Sequence, residues 1–357
     1  MFLELLQLAV GNRTALSRMP SPQEWRHIYE EAAGQAVQGL IAEAALSLHP
    51  QCDKALLLTM YAGRMQLQQA NRAQTAAIGR LISALRRAEV PAVVVKGQTI
   101  GACYPNPLLR VPGDIDVYIP DYERHKERIE QALHIALPAR SFIKEYPFRW
   151  QGQAVEIHSH LVVWASAAHQ RCWERSLAES LRRQETIDLE GTAVPVLDPT
   201  LNVVYVLVHL FFHLVKEGIG LRQVCDLAIL LHFHRERIDR PRLRQLLQGL
   251  GVERAFEAFG RICVEDLGLP AAELPVALTP CTVRFRRLIW EDIERGGNFG
   301  KKQRQHVRSH WGNKWMTFRT ALRNLFRYYR LAPAELLLFL WKRLRMNLYD
   351  RTLFPSR

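Results

Sequence analysis

The sequence predicts an α+β fold, a short sheet-forming stretch between two helical regions, and three observations support this. Residues 1–88 carry apolar residues at helical spacing, β-branched runs bounded by Pro and Gly cluster between 89 and 198, and the helical period returns from 199 to 357. These changes of period divide the chain into a helical N-terminal segment (1–88), a central core (89–198) and a helical C-terminal domain (199–357). With 357 residues, 48% hydrophobic and 9% aromatic, the chain has ample material for packed cores and does not have the composition of a disordered one.

Residues 1–88 are expected to be helical throughout. Ser21-Pro22 provides a helix start ahead of Gln23-Glu24-Trp25, and Asp53 to Glu89 runs at helical period without an internal proline. Val90-Pro91-Ala92-Val93-Val94-Val95 then predicts a buried strand that Gly97 ends. A short helix fits 98–105, and Pro105-Asn106-Pro107 must be loop. A second strand, Asp114 to Ile119, stops at Pro120 and gives way to an amphipathic helix from Asp121 to about Leu137. Phe142–Trp150 and Gln153–Leu161 pair across a Gln151-Gly152 turn. A helix near 167–184 and a small hairpin over Ile187–Val196 complete the centre. Beyond Pro199 the chain is helical, with breaks at Gly218-Ile219-Gly220, Arg240-Pro241, Gly268-Leu269-Pro270, Gly296-Gly297 and Ala332-Pro333.

The net charge of +13 is concentrated at one end. From Arg284 to Arg357 there are 18 Lys plus Arg against 5 Asp plus Glu, a surplus equal to that of the whole chain. A basic tail on a near-neutral body points to an acidic partner: nucleic acid, anionic lipid, polysaccharide or protein. Residues 284–357 contain no RNA-binding motif, so nucleic acid rests on charge alone. Six cysteines without a C-x-x-C pair are expected to be buried thiols in a reducing compartment. The start Met1-Phe2-Leu3-Glu4-Leu5-Leu6 lacks a basic n-region, and the longest apolar run, Leu201–Val215, is interrupted by Asn202, His209 and His213. The expectation is a cytoplasmic protein without a transmembrane segment.

The chemistry-bearing feature is Asp114-Ile115-Asp116. Residues two apart on a strand share a face, so both carboxylates point the same way and repel unless a cation or a shared proton offsets them. A divalent-metal pair is the usual reason for such a site. On a later strand Glu156 and His158 share a face by the same alternation. Gly97 allows backbone to approach phosphate oxygens, and Lys96 or Arg110 would balance phosphate charge.

The segments Val95-Lys96-Gly97, Tyr104-Pro105-Asn106-Pro107, Arg110, Gly113-Asp114-Ile115-Asp116-Val117 and Val155-Glu156-Ile157-His158 together resemble the uncharacterised bacterial nucleotidyltransferase family of the DNA polymerase β-like superfamily. Val208-His209-Leu210-Phe211-Phe212-His213, Leu221-Arg222-Gln223-Val224-Cys225-Asp226-Leu227-Ala228 and Gly296-Gly297-Asn298-Phe299-Gly300 resemble its helical half, so the likeness extends over about 90–300. It implies a mixed-sheet nucleotidyltransferase core that moves a nucleoside monophosphate from an NTP to an acceptor and releases pyrophosphate. Asp114 and Asp116 would hold two Mg2+ or Mn2+ ions, and Glu156 would complete the catalytic and metal-binding carboxylates. Lys96, Gly97, Gln98, Arg110, Gly113 and His158 would bind the nucleotide. The superfamily's usual Gly-Ser turn is here Gly97-Gln98, which removes a hydroxyl contact to phosphate. Sugar, small-molecule and protein acceptors are all open. Displacement at the α-phosphorus requires both attacking and leaving oxygens to be neutralised, which suits an acidic triad.

Several residues carry two readings. Lys96 is a phosphate ligand or a solvated strand-end lysine, Arg110 a phosphate ligand or a structural partner of an aspartate, His158 a substrate contact or a structural histidine. His209 and His213, four apart on a helix, face a common metal or make core hydrogen bonds, with Asp226 a partner for one of them. The Gly296–Lys302 loop lacks P-loop spacing and is a turn. Trp311, Trp315, Phe318, Leu322, Leu325 and Tyr329, flanked by Arg319, Arg323, Arg327 and Arg330, form either a core-packed helix or a docking stripe, with Leu336–Trp341 buried or at an interface. The rival to catalysis is a silent scaffold of the same fold that docks through this basic tail.

Overall fold

The computed structural model describes residues 1–137, 145–297, 319 and 322–338. The sequence expectations for Phe142 to Lys144, for most of the Gly296–Lys302 loop, for Trp311, Trp315 and Phe318, and for 339–341 lie outside these residues.

A four-stranded mixed sheet is the centre of the molecule. Its strands are β1 (Val93–Val95), β2 (Ile115–Tyr118), β3 (Glu145–Trp150) and β4 (Gln153–His158), in the order β1-β2-β4-β3. β1 runs antiparallel to β2, β2 parallel to β4, and β3 antiparallel to β4. The turn between β3 and β4 has positive φ at both Gln151 and Gly152, the twist that a two-residue hairpin prefers. A separate two-stranded sheet pairs β5 (Thr186–Leu189) with β6 (Thr192–Pro195).

The two faces of the main sheet have different neighbours because side chains alternate. Val94, Ile115, Val117, Val155 and Ile157 pack on Ile78, Leu81 and Leu85 of α4 (Lys54–Arg87) and on Ile129 and Leu133 of α6 (Tyr122–Leu133). Val93, Val95 and Tyr118 on the opposite face join a larger core shared with α8 (Pro199–Lys216). That core extends from α1 (Phe2–Ala9), α2 (Pro22–Gly34) and α3 (Gln38–Ser47) to α9 (Leu221–Phe233), α10 (Arg240–Gly249), α11 (Glu253–Glu265) and α12 (Val283–Gly296). Two further helices are α5 (Gly97–Gly101) and α7 (Ala167–Arg182). Among the described residues, α8 alone is long and apolar enough to cross a membrane, and 78% of its span is buried inside the protein.

The N-terminal region is helical, as expected, though not without breaks. It is four helices, interrupted where Pro20 and Pro50 withhold backbone donors and where Ala36 and His49 adopt left-handed φ. α2 begins as expected, with Ser21 and Glu24 forming a capping box, and Asp53 caps α4 at Leu56 N, 2.8 Å away. β1 is shorter than Val90–Val95, since Pro91 has no N–H for a ladder. α6 stops at Leu133 because His134 takes the left-handed cap conformation. The cysteines are free thiols, and where all were expected to be buried only Cys103, Cys225 and Cys263 are, with Cys52 and Cys172 half-buried and Cys281 exposed.

The described part of the C-terminal stripe is divided: Leu325 is buried in the core, Tyr329 is half-buried and Leu322 is exposed, and of the following leucines Leu336 is buried while Leu337 and Leu338 are exposed. Tyr328 and Leu331 are buried, Asn324 Nδ2 donates to Leu214 O at 2.8 Å, and Tyr328 OH donates to Asp292 Oδ2 at 2.6 Å. Arg323 and Arg327 pair with Asp292 and Glu291 of α12.

Candidate functional site

The site lies on the sheet face that looks toward α8. Parallel pairing of β2 and β4 puts Asp116 directly opposite Glu156, and Tyr118 opposite His158. Adjacent strands are about 4.8 Å apart, so this register alone brings the two carboxylates together. Asp116, Glu156 and His158 each offer a ligand atom, all within 4.8 Å of one another. Among the described residues this is the group that fits a metal ion, and two carboxylates with an imidazole suit a divalent cation.

Asp116 is the hub. Its Oδ1 accepts from His158 Nε2 at 2.7 Å and lies 2.8 Å from Lys96 Nζ. His158 Nε2 is also 3.7 Å from Glu156 Oε2, and its Nδ1 is 3.9 Å from Glu145 Oε1 on the neighbouring strand. Burial disfavours the Asp116 charge, but Lys96 and His158 overcome it and hold its pKa below the ordinary value. Burial likewise opposes the Lys96 charge, and Asp116, Tyr205 and Asp114 outweigh it, leaving the ammonium firmly protonated. Lys96 reaches this position from a strained backbone, φ 57° and ψ −150°, a conformation costing on the order of 1–3 kcal/mol that the surroundings must hold in place. Thr99 helps, donating both N–H and hydroxyl to the Lys96 carbonyl at 3.1 and 2.7 Å. Gly97 follows with φ +49°, and a Cβ there would lie 3.5 Å from the Asp114 carbonyl.

Glu156 behaves differently. Burial first, then the charges of Glu145, Asp116 and Asp114, push its pKa up to about 7, with His158 opposing. The sign is that of a raised acid: the native state holds the proton more tightly than the unfolded chain, so this group's contribution to stability is lost as pH rises from about 4.3 through 7. Burial holds His213 and His234 down to about 4, and these contribute the opposite slope below pH 6.5. The Glu156 contribution is therefore read as a difference. In metal-free buffer, urea midpoints at pH 5 and 7.5 should show Glu156→Gln gaining stability relative to the native chain at the higher pH. Saturating Mn2+ should shrink that gap by stabilising the native carboxylates. Equal pH profiles for the two proteins would show that the carboxylate is not under charge pressure.

The remaining sequence-predicted residues are distributed around this group. A cavity of about 280 Å³ is lined by Lys96, Gly97, Arg110, Gly113, Asp114 and Asp116 from the core and by His209, Arg222 and Asp226 from the helical half. Asp114 shares the cavity but not the compact ligand group: it precedes β2, which starts at Ile115, and is exposed at the rim. Gln98 faces away, its Nε2 donating to Asn71 Oδ1 at 2.6 Å and Gln74 Oε1 at 2.8 Å. Arg110 makes a buried bidentate pair with Asp226, through Nε at 2.7 Å and Nη2 at 2.8 Å, and Tyr104 OH donates to the same carboxylate at 2.8 Å. Asp226 thus partners Arg110, not His209 or His213.

These inward polar groups build the approach to β2. Asn71 donates to the carbonyls of Leu108 and Arg110, Gln74 to that of Gly113, and Arg222 to that of Val111. Side chains from α4 and α9 therefore hold the 108–113 segment that delivers Asp114 and Asp116. On α8, Tyr205, His209 and His213 follow one another at four-residue spacing, with the Lys96 ammonium 6.0 Å from the Tyr205 ring centroid. The His209 and His213 rings meet edge to face at 4.3 Å. Burial and then Lys96 hold His209 far below its ordinary pKa, so this wall is neutral. Sequence reasoning passed over Glu145, Tyr205 and Arg222. The four-residue spacing of polar rings on an otherwise apolar helix was the available signal for Tyr205.

This chain belongs to the uncharacterised nucleotidyltransferase family, whose model matches residues 21–268. That span includes every residue of the site above. The crystal structure of an antigenic nucleotidyltransferase-like protein from Paracoccidioides brasiliensis is similar over 60% of this chain and 97% of its own, at 13% identity and a TM-score of 0.36. No curated protein matches the sequence.

Proposed function

We propose that the protein is a Mg2+- or Mn2+-dependent nucleotidyltransferase that moves an NMP group from an NTP to an acceptor hydroxyl. The observation that carries this reading is the compact Asp116–Glu156–His158 group, whose Asp116 lines a cavity together with Lys96 and Arg222, in a chain of this family. Asp116 and Glu156 would hold a divalent ion, with Asp114 at the rim available to a second, and bound ions would neutralise the attacking and leaving oxygens. His158 fixes the Asp116 carboxylate through its 2.7 Å hydrogen bond. Lys96 keeps an ammonium beside the same oxygen, where it limits repulsion among the acids and stands ready for phosphate oxygen. Glu156 accepts the acceptor's hydroxyl proton on a carboxylate oxygen as the new bond to the α-phosphorus forms. The bond from the α-phosphorus to the bridging oxygen breaks and pyrophosphate leaves. The neutral α8 wall of Tyr205 and His209 covers the cluster from the helical side.

The test is pyrophosphate release from each of the four NTPs with Mg2+ or Mn2+, across sugar, small-molecule and protein acceptors. One NTP should release pyrophosphate in an acceptor-dependent way that EDTA abolishes. Release that ignores chelation would contradict the metal-dependent reading.

A further inference from the structure

The cavity receives three cationic side chains, Lys96, Arg110 and Arg222, and the structure gives them unequal roles. Lys96 Nζ is held 2.8 Å from Asp116, at the metal-binding end. Arg110 spends Nε and Nη2 on both oxygens of Asp226. Arg222 is set elsewhere: its Nη1 donates to Val111 O at 3.1 Å, and a Cβ built on Gly113 would lie 4.0 Å from that same nitrogen. The guanidinium therefore lies beside the Gly113-Asp114 backbone, in the lining of the same cavity as Asp116.

Its placement is built in. Arg222 and Asp226 are four apart on α9 and share a face of the helix. The grip of Asp226 on Arg110 and Tyr104 fixes the rotation of that face against the 108–113 segment, which turns Arg222 into the cavity. We infer that Arg222 is the anion-binding arm for the donor's non-transferred phosphates, contributed by the helical half, so that the α-phosphorus is left over Asp116 and Glu156. A planar guanidinium presents several donors in a fixed fork matched to phosphate oxygens. Burial first and then the Arg110 charge lower the Arg222 pKa, so a polyphosphate would meet a guanidinium already removed from much of its water. This inference rests on the nucleotidyl-transfer reading, and it adds a preference for triphosphate over monophosphate set by one residue.

The test compares calorimetric binding of the best-bound NTP, its NMP and inorganic tripolyphosphate, each with Mg2+, to the native chain, Arg222→Gln and Arg222→Lys. Gln keeps an N–H for the Val111 carbonyl without the charge, and Lys keeps the charge without the fork. Arg222→Gln should weaken NTP and tripolyphosphate by about tenfold or more while NMP binding stays within about twofold, with Arg222→Lys between. Native-like NTP affinity in Arg222→Gln would overturn the inference and leave the site reading standing, as would an equal loss for NTP and NMP. A native chain that binds neither NTP nor tripolyphosphate would overturn both.

Discussion

Asp116→Asn is expected to reduce nucleotidyl transfer by on the order of a thousandfold or more, equivalent to about 4 kcal/mol of transition-state stabilisation. Asp116 is the most buried carboxylate of the ligand group, 5% exposed, and the one that Lys96 and His158 both engage. Removing its charge would take away the proposed metal ligand at the point where β2 and β4 are in register. The amide is isosteric, and loss of a negative charge also eases the pressure on Glu156, which offsets part of what Lys96 loses. The variant should keep native far-UV circular dichroism and a cooperative melt. Asp114→Asn should lose turnover by a smaller factor, because its carboxylate stands at the exposed rim. Equal turnover in native and Asp116→Asn protein would remove this cluster from the mechanism.

The second large effect is structural. Asp226→Asn should destabilise the fold by about 3–5 kcal/mol in urea unfolding, since it leaves the Arg110 guanidinium buried without its counter-charge. Arg110 and Asp226 side chains are only 7% and 6% exposed, so solvent does not rescue the pair. Arg110→Met combined with Asp226→Leu should recover much of that stability, because it removes both charges instead of one. The double variant should still bind NTP less well than the native chain, as the rotation of α9 is no longer pinned. A cost below about 1 kcal/mol for Asp226→Asn would place the pair in the class of exposed bridges and contradict the buried geometry.

Much of this architecture was legible in the sequence because it rests on local rules. The Val93–Val95 run, Pro120 after the second strand, the Gln151-Gly152 turn and the uninterrupted period of α4 are signals contained within a few residues. The alternation that puts Glu156 and His158 on one face is of the same kind. What was not legible depends on pairing across the chain. The parallel register of Asp116 with Glu156 is set by β2 and β4, which are separated by α6 and β3. Asp114 and Asp116 look equivalent as a pair two apart, yet only one lies inside the strand, so one is buried and the other exposed. Arg110 reads as a phosphate ligand until its partner, 116 residues away, is known. Gln98 occupies the turn where a phosphate contact is expected, and its carboxamide is instead consumed by Asn71 and Gln74 of α4. Each of these turns on a partner supplied by tertiary structure, which a local pattern does not contain.

The most direct measurement is calorimetric titration of the native chain and Asp116→Asn with each NTP, with and without Mg2+. The account predicts that one NTP binds the native chain only when the metal is present, and that Asp116→Asn loses this binding while remaining folded. Metal-independent NTP binding, or equal binding by the folded Asp116→Asn variant, would contradict it.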